Sequence, residues 1–357
     1  MGAKAVEHEH VIEGRLESIG KMKDISTLSK PELDCYQNLV ASLIQDSGYC
    51  TEFLGAVWPW EFARKSEQYE SVIRLVDTEP VNLNSLKNLY NINMNTIFPV
   101  DVEAAWDDIK NKLDEAIPVI VNFDQFYAHY HYPHIYGKQH GEHAVMLLRY
   151  EDKSELVDCV SSIPFYKGTM HYNQLFMGMK EVSELSYTVL AFGDKNLIKS
   201  KYSVWREFLI LIKQLRQAYT ESLHQDSENE MIYAPGFKRL LEELILLDDQ
   251  ELSETLRILC TGTWGWHIDR RCKWTINFIL LFKTNSNEEQ LTRIIELLEE
   301  NNRDWILVYR FLFKSSQTLK KNELYNTVER LERIIEREVK IFNDILTANE
   351  FIKMTEV

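Results

Sequence analysis

Near residue 200 the hydrophobic period of this chain changes, and that change limits what it can fold into. Before it, short β-branched runs alternate with helical stripes; after it, apolar residues recur only at helical spacing. Val119–Phe123, Ala144–Tyr150, Glu155–Val160 and Val189–Phe192 read as strands, the middle two joined by a turn at Glu151-Asp152-Lys153-Ser154. Leu33–Gln45 and Val102–Ala116 read as helices, the first with Pro31 and Asp34 as start signals and Gly48 past its end. Later, Ser203–Ser222, Lys238–Leu247, Glu251–Leu259, Glu288–Glu299 and Asn322–Asn349 carry apolar stripes with charged opposite faces. His224–Pro235 and Thr284–Glu288 read as loops. The expected architecture is α+β: a mixed domain over residues 1–198, then an all-helical domain over 199–357.

Charge and cysteine usage narrow the function. The chain carries 40 Lys and Arg against 55 Asp and Glu, a formal charge of −15. Such an acidic balance argues against a nucleic-acid partner, which calls for a basic surface. Five cysteines, with no Cys-x-x-Cys pair, exclude a disulfide scaffold or zinc ribbon. The amino terminus lacks the apolar core of a signal peptide, and the longest apolar run, Ile276–Phe282 broken only by Asn277, is too short to span a bilayer. The expectation is a cytoplasmic chain with free thiols and no membrane partner.

Three residues of the first half suggest joint chemistry. Cys35 opens a helix, where the dipole and unpaired N–H groups favour a thiolate and can donate to an oxyanion. His143 precedes the strand Ala144–Tyr150, and Asp158 lies in the next strand, placed to orient an imidazole. The order Cys, His, Asp is that of papain-like sites, with nucleophile on helix and base on sheet. The competing reading makes Cys35 a small buried hydrophobe. Five of the ten histidines fall between His129 and His143, among Tyr127, Tyr130, Tyr132 and Tyr136. This segment reads first as a catalytic loop, second as aromatic packing over the sheet, and third as a metal site through His140 and His143.

The segments Asp34-Cys35-Tyr36, Pro118-Val119-Ile120-Val121 through Tyr127, and His140-Gly141-Glu142-His143-Ala144-Val145 followed by Val157-Asp158 resemble the butirosin-biosynthesis protein H type amino-terminal domain family. The resemblance covers roughly residues 30–195. It implies a papain-like cysteine-peptidase fold with a helical extension, and a transferase moving an acyl group from a carrier-protein thioester to an amine. Carried over, Cys35 is the nucleophile, His143 the base and Asp158 the orienting acid. Two departures stand out: no glutamine precedes Cys35, and Asp34 sets a negative charge beside the thiol. Gln37 or the Cys35 backbone N–H then stands in as oxyanion donor.

The expected function is acyl transfer in the assembly of an antibiotic or nonribosomal peptide. The donor is the phosphopantetheine thioester of an acyl or peptidyl carrier protein, the acceptor a small amine, and no metal or other cofactor is bound. Tyr127, His140, Trp266 and Arg270 are the further candidates for substrate contact. Trp266 and Arg270 belong to Thr263–Trp274, whose three tryptophans and ionisable neighbours suit an acyl chain or an anionic pantetheine arm. The plainer reading packs those tryptophans inside a helix and leaves the arginines wet. Two rival functions remain: an amidase, peptidase or thioesterase that uses water, and an idle scaffolding protein of a biosynthetic assembly.

Overall fold

The computed structural model describes residues 28, 33–60, 62–65, 74–75, 85–222, 231–261 and 264–353. In chain order they form helix α1 (Cys35–Asp46), strands β1 (Phe62–Lys65) and β2 (Arg74–Leu75), helix α2 (Ser85–Tyr90), strand β3 (Ile92–Ile97) and helix α3 (Val102–Asp114). Strands β4 (Val119–Asp124), β5 (Glu142–Glu151), β6 (Leu156–Ser162) and β7 (Phe165–His171) follow, then helix α4 (Tyr172–Lys180) and strand β8 (Tyr187–Phe192). The remainder is helical apart from β9 (Met231–Ile232): α5 (Lys201–Ser222), α6 (Ala234–Leu246), α7 (Asp249–Thr261), α8 (Trp264–Leu280), α9 (Glu288–Thr318) and α10 (Lys321–Lys353). The class is α+β, and no helix among the described residues is long and apolar enough to cross a membrane.

Two compact units divide the chain. One draws on Met1–Thr51 and Leu83–Ile198, the other on Glu52–Asn82 and Lys199–Val357. The first unit is therefore discontinuous, unlike the unbroken stretch 1–198 expected from the sequence. Aromatic packing accounts for the difference. Trp58 and Trp60 are fully buried, and Trp58 packs on Phe342 of α10 with ring centroids 4.6 Å apart. Thr275 of α8 donates to the Val57 carbonyl at 2.9 Å, which fastens the same segment to the helical unit.

In the first unit, six antiparallel strands run in the order β3-β8-β4-β5-β6-β7. One face, carrying Val119, Val121, Val145, Leu147, Val157 and Cys159, packs on Trp106 and Ile109 of α3 and on Leu175 and Met179 of α4. α1 packs on β5 and β6 and contributes none of its residues to that cluster, so by strand alternation it covers the opposite face. Its sequence explains its start. Asp34 Oδ1 accepts from Gln37 N at 2.7 Å while Gln37 Oε1 accepts from Asp34 N at 3.2 Å, a capping box that fixes Cys35 as the first helical residue.

The helical unit closes around a buried polar knot. Glu338 of α10 is fully buried and accepts from Asn301 and Trp305 of α9, both at 2.8 Å, and from Tyr219 of α5. The sequence placed the end of the ninth helix near Glu299; the structure carries it to Thr318, because Asn301 and Asn302 turn inward to such partners.

Candidate active site

The site lies where two strands part. The β5–β6 ladder ends at Met146↔Val160, yet β5 runs on to Glu142 against β4, and β6 runs on to Ser162 against β7. Beyond that last bridge His143 and Ala144 on one strand and Ser161 and Ser162 on the other are free to bond elsewhere. Cys35 is held at this fork on both sides. Its carbonyl accepts from Ser162 Oγ at 2.9 Å, and the Ala144 backbone N–H lies close enough to its thiol to favour the thiolate. The N–H groups of Tyr36 and of Cys35 itself act on the thiol in the same direction. A helix start thus brings backbone donors near one sulfur, an arrangement suited to negative charge.

Across the same fork, His143 Nε2 stands 3.0 Å from Ser161 Oγ. Both side chains are buried, His143 at 5% exposure. By alternation with Val145 and Leu147, the imidazole belongs to the α3–α4 face, whereas Cys35 arrives on the face of α1. Among the described residues no hydrogen bond joins thiol and imidazole, although the Tyr130 hydroxyl lies near both Cys35 and Ser161. Ser161 occupies Nε2, so Nδ1 is the ring nitrogen left over.

Asp158 does not take part. It pairs with Arg149, opposite it in the ladder, at 2.8 Å. Arg149 is six residues along β5 from His143, which at about 3.3 Å per residue is roughly 20 Å. Asp158 also alternates with Val157 and Cys159, so it faces away from the cluster that holds the imidazole. The orienting partner expected from the order of residues is thus replaced by a neutral hydroxyl, that of Ser161.

Burial governs the electrostatics. Burial, and then the Asp34 carboxylate, push the Cys35 thiol up to about 11, against the opposing pull of its backbone donors. Burial, and then His131, push His143 down to about 3. Thiol and imidazole accordingly rest uncharged at neutral pH. Tyr130, half-buried, adds a third group with a buried hydroxyl. Its ring stacks on Tyr166 at 4.3 Å, lies 6.3 Å from the His143 ring, and its hydroxyl sits beside Ser161 with no hydrogen-bond partner of good geometry.

No protein-family model matches this sequence, and no curated protein matches it. The chemistry must be read from the fork itself.

The other sequence candidates are dispersed. Gln37 is buried, its carbonyl is used by the helix cap, and its amide nitrogen has no partner among the described residues. Tyr127 packs against the α3–α4 core and edge-on to Phe126 at 5.0 Å. His140 leaves the fork to bond Asp124 at 2.6 Å, so His140 and His143 diverge rather than converge as ligands. Among the described residues no three His, Cys, Asp or Glu side chains are grouped to hold a metal ion. Trp266 and Arg270 lie on α8 of the helical unit; the Trp266 side chain falls outside the described residues. Ser161 was missed by sequence reasoning, and Tyr130 was named only as one aromatic of the histidine-rich segment. The usable signal was two adjacent serines, Ser161-Ser162, ending a strand that is apolar apart from Asp158.

Proposed function

We propose that the chain is a Cys35-dependent acyltransferase with a papain-like arrangement of nucleophile and base. The donor is a carrier-protein thioester and the acceptor a small amine in specialised-metabolite assembly. One observation carries the reading: Cys35 opens α1 and is held by Ser162 at the fork where His143 meets Ser161, with backbone N–H groups near its thiol. In the first step Cys35 Sγ bonds the acyl carbon and the donor C–S bond breaks. The thiol proton passes through His143 to the departing sulfur. In the second step the amine nitrogen bonds the same carbon, the Sγ–C bond breaks, and the amine proton returns through His143 to Cys35.

The choice of thioester over amide rests on the uncharged pair. An amide needs an acid to protonate its leaving nitrogen, and a buried His143 whose basicity is pushed down to about 3 is a poor imidazolium. A thiolate leaves before it is protonated and takes the proton afterwards. Ser161 supports this division, because a neutral hydroxyl orients an imidazole without stabilising its cation.

A second reading, a non-catalytic scaffold, is favoured by the elevated thiol and by the absence of a Cys35–His143 hydrogen bond among the described residues. Turnover separates the two. With an acyl N-acetylcysteamine thioester and a primary amine, the acyltransferase gives amide that disappears in Cys35→Ala; amide formation equal in both proteins, or absent from both, leaves the scaffold.

A further inference from the structure

Asp124 and His140 form a second histidine–carboxylate pair at the same end of the sheet, and the fork does not use it. Asp124 ends β4, is 3% exposed, and takes His140 Nδ1 on Oδ2 at 2.6 Å. Its other oxygen accepts the backbone N–H groups of Phe126 at 3.0 Å and Gly141 at 3.1 Å. Burial alone would raise this carboxyl, but the Phe126 N–H, His140 and the Gly141 N–H outweigh it and hold Asp124 below its usual range. A buried anion that fixes Nδ1 as the protonated nitrogen makes Nε2 the basic one.

His140 is presented, not buried. Its side chain is 62% exposed, its ring is clamped flat on Phe126 with centroids 4.4 Å apart and planes 1° from parallel, and Nε2 has no hydrogen bond among the described residues. Its place in the ladder is also specific. Asp124 lies opposite Glu142 and Phe123 opposite His143, so Asp124 ends the strand that pairs with the one carrying His143, and that second strand begins at Glu142, two residues past His140. His143 is buried with one nitrogen occupied, whereas His140 is open to whatever approaches the rim.

We propose that His140, oriented by Asp124, is the general base that removes a proton from the incoming amine acceptor. An alkylamine arrives at neutral pH as an ammonium ion, and only its neutral form can attack an acyl-enzyme. Nε2 of His140 takes the surplus proton and passes it to solvent; the nitrogen then bonds the acyl carbon as the Sγ–C bond to Cys35 breaks, and the second amine proton goes to the released Cys35 sulfur. This places the acceptor's entry on the exposed β4–β5 rim and assigns it a basic amine. The inference rests on the acyl-transfer reading.

The test isolates the second step. The Cys35 acyl-enzyme is formed with an excess of N-acetylcysteamine thioester, freed of donor, and chased with either an alkylamine or hydroxylamine, which is already neutral at pH 7. His140→Gln is expected to leave acylation within about twofold, slow the alkylamine chase about 100-fold, and leave the hydroxylamine chase nearly unchanged. Asp124→Asn, which keeps an acceptor for the two N–H groups, is expected to shift the alkylamine chase the same way. An alkylamine rate unchanged in His140→Gln, or both nucleophiles slowed alike, overturns the assignment while leaving acyl transfer intact. A wild-type protein that never acylates overturns both.

Discussion

Ser161 Oγ meets His143 Nε2 at 3.0 Å across the point where β5 and β6 separate, and that contact decides which residue orients the imidazole. Removing it leaves a buried ring nitrogen without a partner, a loss of about 1–3 kcal/mol. Ser161→Ala should therefore slow Cys35 acylation by about tenfold or more. Asp158→Asn should leave the rate within about twofold and cost less than about 1 kcal/mol of stability, because its bond to Arg149 is partly exposed. Stopped-flow release of the donor thiol measures both; the reverse ranking would restore Asp158 to the site.

The thiol should titrate late. With Cys35 pushed up to about 11 by burial and then by Asp34, its thiolate fraction rises tenfold per pH unit through the neutral and alkaline range. Alkylation by iodoacetamide should keep climbing from pH 7 to pH 10. Asp34→Asn removes the carboxylate but keeps a good helix cap, so the whole profile should move to lower pH. A plateau beginning near pH 7 in the native protein would show a preformed thiolate and contradict the uncharged pair.

Glu338 gives the helical unit its own pH signature. Burial raises this carboxyl from 4.5 to about 7 in spite of the donors Tyr219, Trp305 and Asn301 and the nearby Arg337. The folded state holds the proton more tightly than the unfolded chain, so this contribution is complete below about pH 4.5 and is lost as pH rises through 7. Between those limits the native protein should lose about 3 kcal/mol relative to Glu338→Gln. Urea unfolding of both at pH 4.5 and 7.5 reads the difference; parallel pH slopes would refute it.

The first unit tolerates little where α4 crosses the sheet. A Cβ at Gly178 would fall 2.1 Å from the Phe123 ring, and both residues are buried. Gly178→Ala should cost about 1–3 kcal/mol or more, read as a lowered melting temperature. An unchanged melt would mean that α4 can shift off β4 freely.

The parts legible in the sequence were those set by local chemistry. Asp34 and Gln37 start α1 by bonding each other, and Val119, Val121, Val145 and Leu147 announce buried strands by composition. Edge strands were not legible: β3, Ile-Asn-Met-Asn-Thr-Ile, and β7, Phe-Tyr-Lys-Gly-Thr-Met-His, mix polar with apolar residues because the sheet covers them on one side only. The site was half legible. Cys35 and His143 do come to one fork, but choosing Ser161 over Asp158 requires knowing that the ladder stops at Met146↔Val160. A register is a tertiary outcome, and moving one residue along β6 exchanges one face for the other.

The central claim, that Cys35 is the nucleophile, has one direct measurement: intact mass after incubation with an acyl N-acetylcysteamine thioester. The native protein should gain a single acyl group, localised by peptide mapping to Cys35 and absent from Cys35→Ala. His143→Ala should acylate at least tenfold more slowly. No Cys35 adduct, together with iodoacetamide labelling of Cys35 no faster than that of Cys50, would contradict the account and leave the fork a structural feature alone.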